Sequence, residues 1–113
     1  MSSYNPDYWQ VVKLTNTEGE SHFRVFATWV GGYVNGDSWK LNSGITKCER
    51  EGKFLNFHGS SGSIYTVPDS DHCYRNSGYT GGVLHNLIEK SKANGITVEL
   101  MPYNMNWVEM NYE

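Results

Sequence analysis

Two runs near the start of the chain mix aromatic and β-branched residues with polar ones: DYWQVVKL at 7–14 and HFRVFATWV at 22–30, separated by TNTEGES. Runs of this kind around a turn-forming interval predict an antiparallel hairpin. In the second run Phe23, Val25, Ala27 and Trp29 fall on one face, and His22, Arg24, Phe26 and Thr28 on the other, so the first set is the expected core face. Phe26 then stands on the mixed face and needs a cover of its own. Further on, ITKCER at 45–50 and KFLNFH at 53–58 flank a Glu-Gly turn signal, and SIYTV at 63–67 follows a short Gly/Ser interval. Five strands in meander order are predicted.

The apolar period then changes. In TGGVLHNLIEKSKANG, 80–95, Val83, Leu84, Leu87 and Ile88 share one face at helical spacing, with Thr80 as the expected N-cap and Asn94 with Gly95 as the stop. ITVEL at 96–100 reads as a sixth strand, which Pro102 ends. The segment GGYVNGDSWKLNSG, 31–44, carries four glycines and reads as a shaped loop with Trp39 and Leu41 anchored in the body. The expected architecture is α+β: a mostly meander antiparallel sheet of about six strands, with one amphipathic helix packed on a face. A chain of 113 residues is long enough for one core, so residues 1–113 form one expected domain, with 103–113 as a tail or an edge strand.

Composition narrows the function classes. A formal charge of −3 lacks the clustered cations that binding along extended nucleic acid requires. Apolar runs fall short of the roughly 18 residues that span a bilayer, and MSSYNPDYWQ lacks the parts of a signal peptide, so a cytoplasmic protein with no membrane partner is expected. In that compartment Cys48 and Cys73 are expected as free thiols.

The stretch FHGSSGSIY raises the first chemical question. Gly59, Ser60, Ser61, Gly62 and Ser63 can make an anion nest of backbone N–H groups and hydroxyls, or simply turn one strand into the next. A P-loop is excluded, because no Lys-Ser or Lys-Thr follows the second glycine and the next segment reads as strand. A second small-residue group, Thr80, Gly81 and Gly82, opens the helix, where free N–H groups favour an anion, and Arg75 lies just upstream. Convergence of the two groups would make a phosphate or nucleotide site. His58, His72 and Cys73 with Asp69 and Asp71 are zinc-ligand types without zinc spacing, so no metal and no cofactor are expected. No nucleophile and base stand in a diagnostic pattern, and the chain is read as non-enzymatic, a small hydrolase or nuclease using His58 or His72 being the alternative. Tyr33, Trp39, Tyr79, Tyr103 and Trp107 exceed the needs of a small core and are candidate partner-binding residues.

The run from Gly31 to Val67, with Ser38, Trp39, Leu41, Asn42, Ser43 and Gly44 followed by Gly59 to Ser63, resembles a pattern in small tailed-bacteriophage proteins. The resemblance implies a setting: inhibition of a host protein or defence factor, or capture of a small nucleotide ligand. The expected partner is a host protein. An unpaired sheet edge and the Met- and Trp-bearing tail are also compatible with a homodimer.

Overall fold

A computed structural model describes residues 3–32 and 36–112. Eight strands and one helix follow in the order β1 (Ser3–Tyr4), β2 (Tyr8–Thr15), β3 (Ser21–Gly32), β4 (Gly36–Leu41), β5 (Ile45–Glu51), β6 (Phe54–Gly59), β7 (Ile64–Pro68), α1 (Gly78–Ala93) and β8 (Thr97–Leu100). A single 3-10 turn, Asp71–Cys73, precedes the helix. The fold is α+β, but the single meander sheet is corrected. The strands form two four-stranded sheets, ordered β1-β7-β6-β5 and β4-β3-β2-β8. All pairs are antiparallel except the short β1, which runs parallel to β7.

Two cores explain why β2 and β3 bury both of their faces. Trp9, Val11, Val25 and Ala27 project to one side and meet Leu55, Phe57, Tyr65 and Val67 of the other sheet. Val12 and Phe26 project to the opposite side, where Leu84 of α1 and Val98 of β8 cover them. Phe26 thus gets its cover from the helix, and the order of layers is sheet, sheet, helix. Trp9 also donates its indole hydrogen to the Pro68 carbonyl at 2.7 Å, joining the sheets by a bond as well as by packing.

The meander breaks at residues 42–44. Asn42 continues the pairing of β3 alone: its N–H donates to the Val25 carbonyl at 3.0 Å, and its Oδ1 accepts from the Val25 N–H at 2.8 Å. The chain then turns through Gly44, whose φ of +139° favours glycine, and enters β5 in the other sheet. The expected loop at 31–44 is therefore partly a strand, and Trp39 on β4 stacks on Phe26 at 5.7 Å between ring centroids.

The helix starts earlier than its apolar spacing implies. Ser77 is the N-cap, its hydroxyl accepting from the Thr80 N–H, while Thr80 Oγ1 accepts from the Ser77 N–H at 2.8 Å. Thr80, the expected cap, is instead the third helical residue of a capping box. The stop falls at Asn94 and Gly95, where φ is +80°.

Residues 101–112 contain turns and no strand. They pack on the inter-sheet core: Trp107 is buried against Trp9, Phe57 and Tyr74, and Tyr112 stands edge-on to Phe23. Tyr74 donates its hydroxyl hydrogen to the Met101 carbonyl, and Met101 donates its N–H to Val11 at 2.8 Å.

Candidate functional site

The change of sheets brings three segments together around a cavity of about 330 Å³. The end of β4 and the crossing contribute Lys40, Asn42 and Ser43; the β6 to β7 turn contributes Ser61 and Ser63; β3 contributes Arg24. Tyr4 and Tyr65 supply an aromatic side. The two turns are laced to each other. Ser60 donates its N–H to the Gly44 carbonyl at 2.8 Å, and Ser61 donates its N–H to Ser43 Oγ at 3.0 Å.

The hydroxyls form a chain. Ser43 Oγ donates to Ser61 Oγ at 3.1 Å, and Ser61 Oγ lies 3.2 Å from Ser63 Oγ. With the Ser61 hydrogen directed to Ser63, the Ser63 hydroxyl keeps its own hydrogen for a ligand, and each donor polarises the next. A side chain at Gly59 would crowd this chain, since a Cβ there would come within 3.0 Å of Ser63 Oγ and 3.2 Å of Ser43 Oγ.

The electrostatics are one-sided. Arg24 and Lys40 line the cavity, and among the described residues no Asp or Glu does. Among the described residues neither cation is ion-paired: Lys40 Nζ sits 5.1 Å over the Tyr4 ring, and Arg24 Nε donates to His22 Nε2 at 3.0 Å. Burial and the adjacent guanidinium hold the His22 imidazole below its ordinary pKa, so it remains the neutral acceptor that Arg24 needs. Asn42 is 1% exposed and lines the cavity with its Nδ2 unpartnered. Its amide cannot be turned over to relieve this, because the Val25 N–H requires the oxygen where it stands.

The glycine-serine turn does join this site, but not as a backbone nest. Gly59, Ser60, Ser61 and Gly62 donate their N–H groups to Ser63, Gly44, Ser43 and Gly59 respectively. What the turn offers a ligand is side chains. The second glycine group lies elsewhere, so the condition of convergence, left open by the sequence, is not met by Arg75, Thr80, Gly81 and Gly82, none of which lines this cavity. Arg75 stacks its guanidinium 5.1 Å over Tyr8, and the buried Thr80 donates its N–H to Ser77 and meets Thr28 with its hydroxyl. Gly81 accommodates the Asn76 side chain, whose Oδ1 would lie 2.8 Å from a Cβ, while Gly82 faces open space. Asn76 Nδ2 in turn donates to Gln10 Oε1 at 2.7 Å.

The aromatic candidates separate likewise. Trp107 belongs to the core, which corrects its assignment to a partner surface, and Tyr103 is half-buried with its hydroxyl on Asp69. Trp39 and Tyr79 are 41% and 60% exposed. Tyr33 lies outside the described residues. His58 Nε2 pairs with Glu49 Oε1 at 2.7 Å, and among the described residues no serine, threonine or cysteine side chain bonds a histidine ring. Among the described residues no three His, Cys, Asp or Glu side chains gather where they could hold a metal. No described helix is long and apolar enough to cross a membrane.

Arg24, Lys40 and Tyr4 carry no local signal: Arg24 reads as an ordinary strand-face residue, Lys40 falls in the expected loop at 31–44, and Tyr4 precedes the first expected strand. The one usable sign was a pair of small polar clusters, Asn-Ser-Gly at 42–44 and Gly-Ser-Ser-Gly-Ser at 59–63, flanking one hairpin. Comparison with known protein families, with curated proteins and with solved structures returns no match.

Proposed function

We propose that the protein is a non-enzymatic binder of a small phosphate-class anion, held in the cavity between residues 40–43 and the 59–63 turn. The observation that carries this reading is the unpartnered Nδ2 of buried Asn42, a residue of a wall that among the described residues has two cations, three serine hydroxyls and no carboxylate. A buried donor without an acceptor costs about 1–3 kcal/mol, and a ligand oxygen supplies that acceptor. Arg24 and Lys40 contribute charge-assisted hydrogen bonds, stronger than neutral ones. The side chains are held before any ligand arrives: Arg24 by His22, Asn42 by Val25, and the serines by one another. Preorganisation of this kind lowers the ordering cost of binding.

Calorimetric titration with inorganic phosphate at low ionic strength tests the reading. Arg24→Ala and Lys40→Ala are each expected to weaken binding about tenfold, equivalent to about 1.4 kcal/mol. A wild-type protein that takes up no phosphate at millimolar concentration would remove the basis of the proposal.

A second reading, a protein partner, is favoured by exposed Trp39, which borders a groove of about 260 Å³ with Val83 and Leu87 of α1. Exposed tryptophan is enriched among the residues that dominate interface energies. In the phage-type setting implied by residues 31–67, either reading serves inhibition of a host factor, by masking a protein or by capturing a nucleotide. Recovery of one bacterial protein by the wild-type chain, lost on Trp39→Ala with phosphate binding retained, would support the protein partner; equal recovery by both chains would count against it.

A further inference from the structure

Arg24 lines a second cavity as well as the first. This one, about 370 Å³, has Leu14 and Ile96 on its apolar side and Asn16, Glu20 and His22 on its polar side. The two cavities share Arg24 as a common wall. A Cβ at Gly44, the neighbour of Ser43 in the first cavity, would lie 3.8 Å from the His22 ring in the second.

Their chemistries are opposite. Among the described residues the first has two cations and no carboxylate, whereas the second carries the Glu20 carboxylate, which disfavours a second anion there. Asn16 holds Glu20 in place: its Oδ1 accepts from the Glu18 and Glu20 N–H groups at 2.9 Å each, and its Nδ2 donates to Glu20 Oε1 at 3.4 Å. Asn16 therefore has its acceptor occupied, and because each carboxylate oxygen has two acceptor sites, both Glu20 Oε1 and Oε2 can still accept from a ligand. On the imidazole, Nε2 accepts from Arg24, whose Nε can only donate, so the ring hydrogen resides on Nδ1. A carboxylate acceptor, an imidazole donor and an apolar floor together suit a flat neutral ring with polar edges.

We infer that the two cavities form one bipartite site for a phosphomonoester with a ring-bearing neutral body, of nucleoside 5′-monophosphate type, its phosphate at Arg24, Lys40 and the serines and its N–H-bearing ring edge at Glu20. The inference rests on the phosphate-class reading of the first cavity and adds to it the body of the ligand. Arg24 is the hinge of recognition, touching both halves. A purine whose edge presents two adjacent N–H donors matches a carboxylate best, which selects guanosine 5′-monophosphate as the probe.

Calorimetry with inorganic phosphate, guanosine and guanosine 5′-monophosphate tests it, with a melting curve on each variant to verify folding. The monophosphate is expected to bind at least about tenfold more tightly than inorganic phosphate, and Glu20→Gln is expected to remove that advantage. Glu20 is exposed, so its replacement leaves the folded chain available for measurement. Phosphate bound with the monophosphate no tighter, or an advantage that survives Glu20→Gln, overturns the bipartite site and leaves the anion cavity standing. Failure of both phosphate and the monophosphate to bind overturns the underlying reading along with it.

Discussion

Tyr103 donates its phenolic hydrogen to Asp69 Oδ1 at 2.8 Å, and Arg50 donates to the other oxygen of the same carboxylate. One acidic side chain thereby joins the C-terminal tail, the end of β7 and the edge strand β5. Burial alone would raise the Asp69 pKa; the hydrogen bonds from Arg50 and Tyr103 and the charge of Arg50 outweigh it and hold the carboxyl below its ordinary value. A group whose folded pKa is depressed contributes stability above its unfolded value, near 3.9, and loses it as pH falls through the folded value. The wild-type chain is thus expected to lose stability on acidification below about pH 4, and Asp69→Asn to flatten that part of the profile. Tyr103→Phe is expected to cost about 1–2 kcal/mol at pH 7. Urea unfolding across pH reads both effects, and parallel wild-type and Asp69→Asn profiles below pH 4 would contradict them.

The adjacent glycines of α1 should respond in opposite ways to alanine. Gly82 faces open space, so Gly82→Ala is expected to stabilise the helix by about 0.5–1 kcal/mol and raise Tm by a few degrees. Gly81→Ala brings a methyl against Asn76 Oδ1 and disturbs its bond to Gln10, so no such gain is expected. Equal stabilisation by both substitutions would show that Asn76 does not require the glycine.

The cysteines differ in reach. Cys48 is buried in the inter-sheet core, which pushes its thiol pKa up to about 12, while Cys73 is half-buried in the 3-10 turn. A disulfide reagent at pH 8 is expected to modify Cys73 in the folded chain and Cys48 only at the rate of unfolding, because the thiolate is the reactive form. Two equivalents of thiol reacting at one rate would be inconsistent with this core.

The hairpin of β2 and β3, the turn between β5 and β6, and the C-terminal stop of α1 are legible in the chain because each depends on neighbours in sequence. Which sheet a strand joins is not. Alternation shows that Val25 and Phe26 face opposite ways, but it cannot tell that both faces are covered, one by a second sheet and one by a helix. Four glycines around Trp39 hid β4, and the aromatic tail read as surface because nothing local reveals the opening between sheets that Trp107 fills. The candidate site was half visible. Ser61 and Ser63 stand in a conspicuous turn, but their companions Arg24, Lys40 and Asn42 meet them only because the chain changes sheets at residues 42–44.

The Asn42 side-chain amide offers the most direct measurement of the anion-binding account. In two-dimensional NMR, titration with inorganic phosphate is expected to shift the Asn42 Nδ2 hydrogens downfield in step with the Ser61 and Ser63 backbone signals, with Gly81 and Gly82 unmoved. Saturating shifts at Gly81, Gly82 and Arg75 with Asn42 unchanged, or no saturable shift at all, would contradict it.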